Sequence, residues 1–382
     1  MVAQVRRGAS RRLVAEEFGV SKSQVDRWVE RARGKRLDRV DWADRSLGPK
    51  APHNRSSREL EEMVLAIRKE LKDTSALGEY GAKAIHGEMV RRGCEQIPTP
   101  RTINRILDRR GQFDGKRRVR RPAPPKGWYL PKLAAGQAEL DSFDIVEGLI
   151  LEGAKNVEIL NGISLHGGLA CSFPRSRITA RITVNCLLSH WLAFGYPDYV
   201  QFDNDTVFQG PRKRDALGRV ARLALSLGVV PVFSPPRETG FQASIESYNG
   251  RWQSKVWNRF HFESRDHLRS QSDKYVRAVR QRAAARIEGA PSRWEIPDGW
   301  QPDYQNPAGT VIFIRRTTDR GTVTLLGRTF AVSRTWPHRL VRADVELSEG
   351  RIDFYALRRR DPSYQPLLTS IDYHFPKRPF KE

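Results

Sequence analysis

The chain has 382 residues, of which 39% are hydrophobic, and its 67 Lys and Arg against 44 Asp and Glu leave a formal net charge of +23. That balance excludes a disordered polyelectrolyte, allows two to four domains with at least one sizeable core, and points to a polyanionic partner. No apolar run long enough for a membrane span is present, and residues 1–18 contain no apolar secretory core, so a membrane partner is not expected. Three widely separated cysteines (Cys94, Cys171 and Cys186) argue for a reducing, cytoplasmic setting without a disulfide framework, and the eight histidines show no zinc-finger spacing.

In chain order, residues 1–50 read as a first helical unit. Leu13, Val14, Phe18, Val25, Trp28 and Val29 follow a helical period that is broken at Gly19, and Ser21 is placed to cap a second helix. Two helices around a short Gly-containing turn have the form of a helix-turn-helix, whose second helix would offer Lys22, Ser23, Gln24 and Arg27 to a major groove. A plain helical hairpin is the alternative. Residues 51–111 read as a second helical unit of the same kind. Thr99 and Pro100 open its last helix, which carries Arg101, Asn104 and Arg105 as candidate DNA contacts.

Residues 112–134 form a basic, Pro-rich linker. Lys116, Arg117, Arg118, Arg120 and Arg121 stand there without an acid among them, in a segment suited to lie along phosphates or to act as a solvated spacer.

Residues 135–290 turn α/β. Strands are expected at "AELDSFDIV", "NVEILNGISL", "GGLACSF", "DYVQF" and "VVPVF". Helices are expected at "RITARITVNCLLSHWLAFG" and "RDALGRVARLALSLG", with a long helix from Gln242 to about Arg286 broken near "HFESRD". This order suggests a mixed sheet covered by helices on its faces. Residues 291–382 become short strands with regular turns, which suggests a small β-barrel whose Arg315, Arg316, Arg328 and Arg334 are candidates for phosphate contact.

Three acids inside the α/β region carry the chemical signal: Asp141 in the first strand, Asp203 at the end of the fourth, and Glu246 near the start of the long helix. Carboxylates gathered in one place repel each other unless a divalent cation joins them, and Mg²⁺ takes oxygen ligands of this kind. Asp144 competes with Asp141 for the first place; Asp141, directly after the apolar Leu140, is preferred. Glu158, Asp198 and Glu238 read as surface or capping acids, and His166 and His190 as core or edge residues rather than ligands.

The stretches "ELDSFD", "QFDNDTVF" and "FQASIESYNGRW" resemble the three acidic motifs of the DDE integrase core shared by retroviral integrases and bacterial insertion-sequence transposases. The resemblance covers about residues 135–290. It implies a ribonuclease-H-like fold, two Mg²⁺ or Mn²⁺ ions held by Asp141, Asp203 and Glu246, and DNA cleavage followed by strand transfer. It also implies that Asn204 shapes the turn after Asp203 and that Asn249, one helical turn beyond Glu246, touches DNA. Double-stranded DNA of element ends and target, a homo-oligomer, accessory transposition proteins and, in a bacterium, a nucleoid-associated location follow from the same resemblance. Asp205 stands where the family has glycine, Gln253 where retroviral relatives carry a lysine, and the step from Asp203 to Glu246 is longer than usual. These departures leave open a non-catalytic DNA-binding regulator that retains the scaffold.

Overall fold

The computed structural model describes residues 1–43, 56–113, 126–211, 213–238, 240–359, 361–376 and 378–380. The basic linker residues Lys116, Arg117, Arg118, Arg120 and Arg121 lie outside them. The chain divides into two compact units, Met1–Arg58 and Glu59–Glu382.

The first unit contains α1 (Val2–Arg6), α2 (Arg11–Glu17) and α3 (Lys22–Arg31). Ser10 and Ser21 cap α2 and α3, their hydroxyls accepting from the backbone N–H of Leu13 and Gln24. Such caps satisfy donors that a helix N-terminus otherwise leaves unpaired. Between them the chain turns at Gly19, whose φ of +62° is a left-handed conformation that glycine adopts without penalty. Val14, Ala15 and Val25 are buried where the helices meet, while Lys22, Ser23, Gln24 and Arg27 all face solvent.

The second unit opens with α4 (Arg58–Thr74), α5 (Ala82–Arg91) and α6 (Pro100–Arg109), packed around Val64, Ile67, Ile85, Met89, Ile103 and Ile106. Glu61 is buried at 2% exposure and is held by the guanidinium groups of Arg109 and Arg110. Thr99 caps α6 through the N–H of Thr102, and Arg101, Asn104 and Arg105 are exposed along that helix. After α7 (Pro131–Ala134) the α/β region begins. Its elements are β1 (Leu140–Leu151), β2 (Lys155–Ser164), β3 (Ala170–Arg175), α8 (Ala180–Phe194), β4 (Tyr199–Phe202), α9 (Thr206–Gln209), α10 (Arg219–Ser226) and β5 (Val230–Phe233). Then come α11 (Ala243–Lys255), α12 (Arg265–Arg282) and α13 (Ala284–Glu288), so the expected long helix is broken between Lys255 and Arg265. The remainder is β6 (Thr310–Arg316), β7 (Thr322–Leu325), β8 (Arg328–Ala331), β9 (Leu340–Glu346), β10 (Arg351–Ala356) and β11 (Leu367–Asp372).

Nine strands form one mixed sheet in the order β11-β10-β9-β6-β5-β4-β1-β2-β3. β1, β4, β5 and β6 run parallel, and the strands on either side of them are antiparallel. Side chains alternate across it. On one face Phe143, Val200, Phe202, Phe233 and Phe313 pack with Trp191 and Leu187 of α8 and with Leu223 and Ala224 of α10. On the other face Val157, Ile159 and Ile163 pack with Ile245, Tyr248 and Trp252 of α11 and Leu268 and Tyr275 of α12.

This topology corrects the expected small barrel at 291–382. β6 pairs in parallel with β5, and β9, β10 and β11 extend the same sheet from there; β7 and β8 form a separate hairpin. The physical reason is the free edge of β5. Val232 and Phe233 are fully buried with Ile312 and Phe313 lying beside them, and an uncovered apolar edge there would invite association. The hairpin turns at Leu326 and Gly327, both with positive φ, as a two-residue loop between twisted strands requires.

Candidate active site

Strand parity decides which acids meet. In the β1–β4 register Asp141 lies beside Val200 and Ser142 beside Gln201. Asp141 therefore shares the face of Val200 and Phe202, toward α8. Asp144, two residues beyond Ser142, and Asp203, two beyond Gln201, share the opposite face, toward α11. Glu246 is exposed on the first turn of α11, where its charge acts on Asp144.

Electrostatics report the same convergence. Burial, then the charges of Asp203 and Glu246, push the Asp144 carboxyl up to about 6, against a hydrogen bond from Asn249. Asp203 is also raised, by burial and by the charge of Asp205, although its Oδ1 accepts the Asp205 N–H at 2.9 Å. Among the described residues no three His, Cys, Asp or Glu side chains stand in ligand geometry for a metal ion. The acids thus share a field without a ready-made coordination shell.

Asp141 is elsewhere, and its placement corrects the preference for it over Asp144. It is 1% exposed and takes a bidentate pair from Arg293, Nη1 to Oδ1 at 2.9 Å and Nη2 to Oδ2 at 2.7 Å, with the Trp191 indole N–H on Oδ2 at 3.0 Å. Burial works to raise its pKa, but Arg293 overrides that and holds the carboxyl below its ordinary range. Both carboxylate oxygens of Asp141 are thus engaged on the core side of the sheet. Arg293 follows α13, in a segment where Trp294 bridges to Tyr196, and nothing in its local sequence announces this role.

His190 lies in the same buried cluster, its Nε2 at 4.0 Å from Asp141 and its Nδ1 without a partner among the described residues. Burial lowers its pKa from 6.5 to about 4, so it is neutral in the folded protein. Because the folded value lies below the unfolded one, the unfolded chain binds the extra proton between them, and stability falls as pH drops from about 6.5 to 4. His190 should contribute a decrease of roughly 2–3 kcal/mol over that window, against the Asp144 and Asp344 carboxyls, which are raised to about 6 and act in the opposite sense there; it is read as the difference between the parent and His190→Phe in denaturant titrations. Identical pH slopes in the parent and that variant would remove His190 as a cause.

Asn249 also departs from expectation. It is buried at 9% exposure with both ends of its amide engaged: Nδ2 donates to Asp144 Oδ2 at 2.7 Å and Oδ1 accepts from Asn161 Nδ2 at 2.8 Å. Asn161 sits opposite Asp144 in the β1–β2 register. Asn249 therefore orients a carboxylate and is not free for DNA, because the face of α11 that it shares with Trp252 packs onto the sheet. After β4, Asn204 donates to Ser234 O at 2.7 Å and accepts from Arg315 at 2.8 Å. Arg315, expected at the surface, is 8% exposed and fixes this turn from β6; burial lowers its pKa to about 10. Arg316 and Arg328 are likewise engaged, by Glu238 and Asp215, whereas Arg334 is exposed. Asp205 has φ −63°, so no glycine is needed at that position, and its side chain caps α9 through the N–H of Val207. Glu158 and Asp198 accept from backbone N–H groups, of Ile178 and Glu139, as capping acids do.

No family model matches the chain, and no curated protein matches it. Solved structures similar to it include the simian T-cell lymphotropic virus intasome in complex with PP2A regulatory subunit B56 gamma (15% identity, covering 70% of this chain and 91% of that one, TM-score 0.32). The catalytic core domain of BIV integrase is similar at 14% identity, covering 36% of this chain and 80% of that one, with a TM-score of 0.28. The HTLV-2 integrase catalytic core domain in complex with magnesium, in a dimeric form, is similar at 12% identity over 43% and 86%, with a TM-score of 0.25. At such scores the likenesses carry no argument about function.

Proposed function

We propose that the chain is a DDE-type polynucleotidyl transferase that binds DNA ends and cuts and joins strands. What supports this reading is that Asp144 on β1 and Asp203 at the end of β4 share one face of a mixed sheet, with both carboxyls raised by burial and neighbouring charge, and that Glu246 on α11 adds its charge at Asp144. An all-oxygen, like-charged donor set is what a hard divalent cation neutralises, so the residues fit Mg²⁺ or Mn²⁺ in kind. Asp144, Asp203 and Glu246 would hold it. A bound pair of such ions supplies activation of the attacking oxygen and stabilisation of the leaving oxygen in phosphodiester chemistry.

The rest is work for the chain itself. Asn249, anchored by Asn161, holds Asp144 in one rotamer. Arg315 and Asn204 hold the turn that presents Asp203. The exposed Lys22, Ser23, Gln24 and Arg27 on α3, and Arg101, Asn104 and Arg105 on α6, are the proposed contacts to duplex DNA, in the manner of recognition helices. Two element ends must be held at once, so more than one copy of the chain is proposed to act together.

The test is incubation of the purified protein with the ends of its own element and a labelled target, with Mg²⁺ or with EDTA. Joined products that vanish with EDTA and with Asp203→Asn are expected. DNA binding without any chelator-sensitive product would favour the non-catalytic regulator instead.

A further inference from the structure

Three cavities of about 390, 290 and 410 Å³ adjoin one another along the α11 side of the second unit. The first two share Arg251 and Arg286; the second and third share Lys255, Arg282 and Glu79. They therefore make one groove from α5 to the mouth of the candidate site. The near end is lined by Ser142, Gln201 and Ser247. The first two lie two residues before Asp144 and Asp203 on the same sheet face, and Ser247 follows Glu246.

The charge in this groove is one-sided. Glu79 is the one acid among its described lining residues, and it is ion-paired with Arg282. Arg251 donates Nε to its own helix, at Ser247 O, and Arg286 donates Nε to Gly167 O. Both are exposed, and neither forms an ion pair among the described residues. Lys126 closes the near end. There too the N-terminus of α11 lacks a side-chain cap, and the buried Nε2 of Gln242 has no acceptor among the described residues. The groove thus holds no free acid among its described lining residues, and one buried donor in it, the Gln242 Nε2, lacks an acceptor among them.

We propose that this groove is a track for a DNA backbone, with Arg251, Arg286 and Lys126 taking successive phosphates and leading the strand to Asp144, Asp203 and Glu246. The choice of DNA rests on the proposed function; the groove itself asks for a repeated, closely spaced anion, which a nucleic-acid backbone supplies. None of these three residues belongs to the recognition helices, so the groove reads no base sequence and contributes affinity alike for any duplex.

The test is fluorescence anisotropy with a labelled DNA duplex, over a salt series, for the full chain and for Arg251→Glu, Lys126→Glu and the double variant. Asp144→Asn serves as the control that disables chemistry without touching the groove. Each charge reversal should weaken binding about tenfold at moderate salt, and the double variant should lower the salt slope by about 2, since each phosphate contact contributes about 0.9. Arg251→Lys should keep most of the affinity. Both positions are exposed, so melting curves should match the parent. Affinity and slope unchanged in the folded double variant would overturn the groove. If the variants lose binding while the parent makes no joined product, the groove stands and the strand-transfer reading falls.

Discussion

Asp144→Asn is expected to abolish strand transfer while leaving the protein at least as stable, and Asp141→Asn is expected to do the reverse. The two aspartates are three residues apart on one strand and read alike in sequence, yet the sheet sends them to opposite sides. Asp144 sits among like charges, so its loss relieves repulsion. An amide there keeps the hydrogen-bonding shape but removes the charge of a proposed metal ligand, for which we expect a loss on the order of 10³-fold in joined product, or about 4 kcal/mol of transition-state stabilisation. Asp141 is the counter-ion of a buried arginine. Neutralising it leaves the largely buried Arg293 guanidinium without its counter-ion, held only by the carbonyls of Phe194 and Gly195, which costs up to about 3–5 kcal/mol. At about 2–4 °C per kcal/mol, the midpoint should fall by on the order of 10 °C. Thermal melts and product assays on both variants decide the matter. A stable, inactive Asp141→Asn beside an active Asp144→Asn would reverse the assignment.

Truncation after residue 290 should destroy the core rather than release an independent catalytic domain. β6 covers the edge of β5, and Val311, Phe313, Val341, Ala343, Val345, Ile352 and Phe354 belong to the same apolar cluster as Val200, Phe202 and Trp191. Removing them strips the buried edge of a parallel sheet and also deletes Arg293, the partner of Asp141. Exposed sheet edges of this kind aggregate. The expected result is insoluble or protease-sensitive protein for residues 59–290, and limited proteolysis of the full chain that yields no resistant fragment ending near 290. A soluble, cooperatively melting 59–290 fragment would contradict the continuous sheet.

Much of the architecture is legible in the sequence. The cap-and-period pattern of α2, α3 and α6, the break between α11 and α12, and the strands around Asp141 and Asp203 are local signals, set by hydrogen-bonding residues at helix ends and by side-chain periodicity. β11 carries a weak local signal, because "LLTSID" lies at the sheet's edge and alternates weakly. The barrel was misjudged because short antiparallel strands look the same whether they close on themselves or extend a neighbouring sheet; the choice lies in whether β5 has a free edge.

The sequence by itself determined that this protein is basic, that helical units precede an α/β region, and that Asp203 and Glu246 stand at a strand end and on a helix as candidate ligands. These follow from composition and short-range periodicity, which depend on residues a few positions apart. Only the tertiary structure decided that Asp144 joins them, that Asp141 belongs to Arg293, that Asn249 braces a carboxylate, and that Arg315 holds a turn. Those outcomes depend on inter-strand register and on partners 100 or more positions away. A one-residue change of register exchanges the two faces of a strand, and no local pattern records which register the folded sheet adopts.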